Sequence, residues 1–352
     1  LCGARTGIGR ETLAAWLLTP ASPAMATSRQ QAIAELAGRV GLRERLAVIA
    51  ESLRGRLHPR ELANWAQSEP VVTQAWARWA APLAVGLTIG SLAGWITGIT
   101  PRALFLTAVL IQGVLAATLR RQVQEIVTQV EKASQELDVL SGVLALIVAE
   151  KFESPLLAET MIRLESDGAP PSSQIAALNR LTVLLDSRRN QFFAPIGALL
   201  MWTTQVTLAI EAWRVRHGAS VDRWLSAVGD FEALSSFAGY CFERPEDVFP
   251  RIGEGGPEFT ARGIGHPLLP AEQCVRNDVD LGGDTRLLVV SGSNMSGKST
   301  LMRTIGINAV LAQAGAPVRA RTMQLSSLTV GGSIRLEDSL RKGMSGFYAE
   351  IH

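Results

Sequence analysis

At 352 residues the chain has room for two or three domains, and 47% hydrophobic against 19% charged is apolar for a protein that stays wholly in water. A formal net charge of +2 gives no whole-chain warrant for nucleic acid, though it leaves room for a local basic patch. Three widely separated cysteines, Cys2, Cys241 and Cys274, argue against a disulfide framework or a zinc site and for a reducing compartment. A start at Leu1 and a stop at His352 read as the two ends of a piece cut from a longer protein.

Between Arg78 and Arg102 there is no charged residue, and Leu83, Val85, Leu87, Ile89, Leu92, Trp95, Ile96 and Ile99 populate the stretch. At about 1.5 Å per residue such a helix crosses a hydrocarbon core of roughly 30 Å. Thr100-Pro101-Arg102 has the chemistry of a tight turn, and a second uncharged stretch from Ala103 to Leu119 ends at Arg120 and Arg121. The expectation is a transmembrane helical hairpin over 79–121, its outer ends held on the cytoplasmic side by arginine. Gly86, Gly90, Gly94 and Gly98 recur every fourth residue and predict a smooth face packed on the second helix. The alternative is a hairpin buried in a soluble core.

From 121 to 151, Val123, Ile126, Val127, Val130, Leu137 and Leu140 fall at helical intervals among polar residues, predicting an amphipathic helix leaving the membrane. Asp167 to Ser173 is a loop, with Ser172 or Ser173 as cap of a helix through Leu185. A third uncharged run, Phe192 to Ile210, has Arg188 and Arg189 before it and Arg214, Arg216 and Arg223 after it, so charge does not favour a crossing. A single further span would also move everything after it to the opposite side of the membrane. The run reads as a buried or interfacial helix. Gly253-Glu254-Gly255-Gly256-Pro257 separates a helical region from the strand-rich remainder.

The strongest signal follows. Gly292-Ser293-Asn294-Met295-Ser296-Gly297-Lys298-Ser299 fits GxxxxGK[ST], extended by Thr300. The apolar run Arg286 to Val290 before it predicts a strand, and 301–313 after it a helix. In that order Gly292 and Gly297 let the backbone turn its N–H groups toward phosphates at a helix N-terminus. Lys298 then reaches the β- and γ-phosphates of ATP, and the Ser299 hydroxyl is a ligand of Mg²⁺. Glu337 and Asp338 read as a solvated acidic turn, and His58 and His217, without ligand-spaced partners, as surface residues.

The phosphate loop with Asn294-Met295 inside it and Leu301-Met302-Arg303 after it resembles the ATPase domain of the MutS family of DNA mismatch repair proteins. Gly265-His266-Pro267-Leu268-Leu269 is similar to the family's His-Pro segment, and Cys274-Val275-Arg276-Asn277 to the stretch that packs on adenine. The resemblance implies that Val275, with Cys274, touches the base. Gly343 to Glu350 resembles the signature segment, which implies that Ser345 reaches the γ-phosphate held by a partner subunit in a homodimer. More weakly, 10–17 and 29–33 look like the entry to the MutS core domain and 230–234 like its exit. No phenylalanine is followed two places later by glutamate, so the family's Phe-x-Glu mismatch probe is missing, and no apolar strand ending in Asp-Glu follows the loop.

The implied architecture is an incomplete α/β P-loop NTPase domain over 257–352. It follows a mainly helical, MutS-core-like region over 1–78 and 122–252, with the transmembrane hairpin 79–121 inserted. The implied protein is a membrane-anchored ATPase facing the cytoplasm, a nucleotide-gated dimeric clamp using ATP and Mg²⁺, with DNA as a gripped ligand. The rival from another class is an ATP-driven membrane transporter or motor component, against which stands the lack of ionisable residues inside the hairpin.

Overall fold

The computed structural model describes residues 2–53, 58–72, 76–165, 168–293 and 296–332. The chain divides into two compact units, Leu1–Leu13 with Glu35–Gly239, and Ala14–Ala34 with Tyr240–His352.

The first unit is helical. Its frame is α6 (Arg102–Val148), a single helix of 47 residues and so about 70 Å long at about 1.5 Å per residue. The sequence reading divided this stretch at Leu119; the structure joins the apolar arm and the amphipathic arm into one rod, because no helix-breaking residue separates them. Its C-terminal half buries Val123, Ile126, Val130, Leu137, Leu140, Leu144 and Ile147, a stripe at spacings of three, four and seven. Against it lie α3 (Val40–Leu53), α4 (Pro59–Gln67) and α8 (Pro171–Asp186). Helix α8 runs antiparallel to α6, with Asn179 Nδ2 donating to Asp138 Oδ1 at 2.6 Å and Arg188 and Arg189 donating to Glu131 Oε1 at 3.0 and 2.8 Å. Helix α8 starts after Pro170 without a side-chain cap; the Ser173 hydroxyl instead donates to the Pro170 carbonyl, so the expected serine cap is not made.

Helix α5 (Ala77–Ile96) folds back on α6 through the turn at Thr100-Pro101. Its buried face is Ala77, Ala81, Val85, Thr88 and Ser91. Gly86 and Gly90 therefore point away into open space, which corrects the expected glycine seam; only Gly94 approaches a neighbour, where a Cβ would lie 2.6 Å from Thr100 Oγ1. Thr88 Oγ1 donates to Gln112 Oε1 at 2.6 Å and fixes the register of the hairpin.

Phe192 to Ile210 is not one helix. It comprises α9 (Ala194–Leu199), a break at Met201 with φ of 46°, and the start of α10 (Trp202–Glu243). Met201 packs on Ala81 and Val85 of the hairpin. Further along α10, Trp224, Phe231 and Phe237 are fully buried, each stabilising the unit by about 1.5–3 kcal/mol. Gly218 allows α10 to meet α4, since a Cβ there would lie 2.1 Å from the Ala66 carbonyl oxygen. Glu232 on α10 accepts from Thr6 N and Thr6 Oγ1, and Thr6 Oγ1 accepts from Gly9 N at the start of α1 (Gly7–Leu18). The residues just before the segment read as entry to a helical core thus meet Glu232, in the segment read as its exit, through one carboxylate. His58 is tied to the buried Glu136, Nδ1 lying 3.2 Å from Oε1.

The second unit carries a mixed four-stranded sheet in the order β1 (Arg251–Gly253), β4 (Thr322–Ser326), β2 (Phe259–Ile264), β3 (Asn277–Leu281). Pair β1/β4 is parallel, and β2 is antiparallel to both β3 and β4. The alternation of Phe259, Ala261, Met323 and Leu325 buries one face of it. Arg286 to Val290, expected as a strand, is not one: Leu287 and Val289 are exposed, and no described strand lies beside them to take their backbone hydrogen bonds. Helix α11 (Lys298–Ala314) closes at Gly315, φ 88°, where a Cβ would meet the Ala26 carbonyl at 2.9 Å.

Candidate nucleotide-binding site

The site starts from Gly297. Its φ of 89° is left-handed, so the loop turns there at no side-chain cost and α11 begins at the next residue. The first turn, Lys298-Ser299-Thr300, leaves backbone N–H groups without intrahelical partners and sets the positive end of the helix dipole at the loop. Lys298 folds back over that loop, Nζ donating to the Gly292 and Ser293 carbonyls at 2.7 and 2.5 Å.

Beside this turn is a cleft of about 370 Å³. One wall is Ser296, Gly297, Lys298, Thr300, Leu301 and Thr304 with Val290 and Ser291; the other is His266, Leu269, Gln273, Val275 and Asn277. That volume is within the small-ligand range, and an apolar lip faces a cationic end. Val275 is 79% exposed, free to cover a ring face. Cys274 is turned away, its Sγ 3.9 Å from the His266 carbonyl and packed on Gly265.

What holds the two walls together is a polar network that sequence reasoning missed. Asn308 on α11 is fully buried; its Nδ2 donates to the Gly265 carbonyl at 3.0 Å and to Thr304 O at 2.8 Å, and its Oδ1 accepts from Arg319 N at 2.9 Å. Arg319, 2% exposed, returns Nη1 to Leu269 O at 2.6 Å. One asparagine thus joins the phosphate-side helix to the segment leading into Val275. The signal available in sequence was a lone asparagine on a face otherwise filled by Leu311, Ala312 and Ala309. Asn308→Ala strands a buried carbonyl and a buried N–H, so we expect it to lower the stability of this unit by about 2–4 kcal/mol, read by denaturant unfolding. Lining the same unit, Tyr240 donates to Asp247, and burial followed by that bond pushes its hydroxyl far above the ordinary phenol range.

A family model described as MutS domain V matches residues 288–352. The chain is similar to the DNA mismatch repair protein MutS of Chlorobaculum parvum, 31% identical over 142 residues that are 39% of this chain and 16% of that protein. It is 31% identical over 147 residues to the DNA mismatch repair protein MSH6 of Arabidopsis thaliana, 37% of this chain and 11% of that one. Against the endonuclease MutS2 of Bacillus velezensis it is 37% identical over 88 residues, 24% and 11% of the two chains. Over these stretches the chain is similar to proteins of the MutS family. The matched stretches span between 11% and 16% of these three relatives' own lengths.

The structure brings Val275, Ser296, Gly297, Lys298 and Thr300 to one cleft and puts Gly292 and Ser293 in contact with Lys298. Ser299 is exposed on the first turn of α11 and Cys274 lies behind the Val275 wall. Asn294, Met295, Ser345, Glu337 and Asp338 lie outside the described residues.

Proposed function

We propose that this chain is the nucleotide-binding and membrane-anchoring part of a MutS-like ATPase. The observation that supports it best is the cleft that sets the Lys298 loop and the start of α11 opposite the exposed Val275. ATP would lie with its base on Val275 and its phosphates at Gly297, Lys298 and Thr300, with the Ser299 hydroxyl held for Mg²⁺. The magnesium would offset phosphate charge, and the chain's own part is to cradle the phosphates and hold the base. A homodimer would complete each site with Ser345 of the other subunit, so that ATP closes a clamp and hydrolysis opens it. DNA is the gripped ligand to which the names of the mismatch-repair relatives point, held through its phosphates, and its binding should fall steeply with salt.

The anchor is α5 with the first half of α6. The most apolar window of each is only 22% and 17% buried, far from a soluble core helix. Leu83, Leu106 and Leu110 face outward in a patch that water would not tolerate on a monomer. Trp76 and Trp79 at one end, and Trp95 stacked on Phe105 at 5.9 Å at the other, supply aromatic belts at the two interfaces.

The test is steady-state hydrolysis and ATP titration of the full-length protein in detergent. Ser345→Ala should leave ATP affinity unchanged and lower turnover about 100-fold, the effect of losing one donor to a developing charge. Equal turnover in both proteins removes the completion of the site by a second subunit.

A further inference from the structure

From the break at Met201 and the contacts of Gln112, we infer that residues 192–204 form a re-entrant membrane segment that enters the bilayer beside the hairpin, turns at mid-depth and returns. The inference rests on the hairpin being the anchor. Gln112 lies level with Thr88 near the middle of α5, because the two side chains are bonded at 2.6 Å. The same Gln112 side chain donates Nε2 to the carbonyls of Ala198 and Leu199, at 3.1 and 2.8 Å. The end of α9 is therefore at the mid-level of the proposed span. The segment leaves α8 at Arg188 and Arg189, which bond Glu131 further along α6, and it returns beside the same end of α8, where Trp202 Nε1 donates to Leu184 O at 2.8 Å. On the return, Glu211 of α10 accepts from Val71 N at 2.8 Å, near the start of the hairpin.

Chemistry along the excursion fits lipid. No charged residue occurs from Asn190 to Ile210. A helix broken in lipid must find partners for the carbonyls that the break releases, since no water is there to take them. Here three have side-chain donors: Gln112 serves Ala198 and Leu199, and Gln205 Nε2 donates to Leu200 O at 2.7 Å. Phe192, 91% exposed, and Ile196 face outward. Between α6 and this segment is a mainly apolar cleft of about 610 Å³, lined by Val109, Gly113 and Ala116 on one side and Phe193, Pro195 and Trp202 on the other, with Arg188 as its one charged lining residue.

The experiment uses the full-length protein with Cys2, Cys241 and Cys274 changed to serine, reconstituted in phosphatidylcholine vesicles. Single probes are attached at Ile196→Cys, at Phe192→Cys as a second position on the segment, at Leu87→Cys in the hairpin and at the exposed Ile162→Cys as a water reference. Quenching is read with iodide from the water and with nitroxide lipids from within the bilayer. The inference expects the Ile196 and Phe192 probes to resemble the Leu87 probe, with iodide quenching several-fold weaker than at Ile162 and strong nitroxide quenching. Iodide access at Ile196 and Phe192 with Leu87 protected overturns the re-entrant segment and leaves the anchor standing. Iodide access at all four positions overturns the anchor and this inference with it.

Discussion

Lys298→Ala removes ATP binding while leaving the protein folded. The ammonium is the one cation among the described lining residues of the cleft, and it is already held over the loop by the Gly292 and Ser293 carbonyls. Two charge-assisted bonds to phosphate oxygens, each about 1.5 kcal/mol or more, amount to about 3 kcal/mol, or at least about 100-fold in affinity. Folding should be little affected, because Gly292 and Ser293 are exposed and water replaces the lysine at their carbonyls. Titration calorimetry with MgATP on the full-length protein, beside thermal melts without nucleotide, separates the two effects. Wild-type affinity in the variant would mean that the triphosphate does not sit at α11.

The largest expected effect on stability is at Arg214, which the sequence offered only as a flanking charge. It is 2% exposed and paired with Glu211, itself 3% exposed, Nη2 to Oε1 at 2.7 Å. Its guanidinium also serves Trp65 O, Ser68 O and Glu69 O at 2.9, 2.6 and 3.0 Å, where α4 ends and the chain turns toward the hairpin. Arg214→Met leaves a buried carboxylate without its cationic partner and the Ser68 and Glu69 carbonyls without a donor, so unfolding in guanidinium should show a loss of about 3–5 kcal/mol. Changing Glu211 to leucine in the same protein removes the uncompensated charge and should recover part of that loss, although the carbonyls stay unserved. A single change costing under about 1 kcal/mol would mean the pair is solvated.

The glycine turn into α11 and the pairing of α5 with α6 were legible because each depends on local information. Glycine and lysine at fixed spacing make the loop, and an uncharged run of sufficient length makes the hairpin. Other features depend on partners distant in sequence. Gly86 and Gly90 share a face, but the face that packs is chosen by Ala81, Val85 and the Thr88 bond to Gln112. Leu287 to Val289 has the composition of a strand, yet a strand exists only beside another, and the four described strands pair among themselves. Asn308 and Arg214 look like ordinary polar residues until the carbonyls they satisfy, far away in sequence, are brought to them. The break at Met201 likewise has no proline or glycine at its own position to announce it.

The account's central claim is an ATP site on a membrane-anchored chain, and one photolabelling measurement addresses both halves. Membranes from cells making the full-length protein are washed with alkaline carbonate and irradiated with radiolabelled 8-azido-ATP, wild type beside Lys298→Ala. The account predicts a labelled band of full-length size in the washed membranes, competed away by ATP and missing from the variant. Label confined to the carbonate extract, or a band equally strong in the variant, contradicts it.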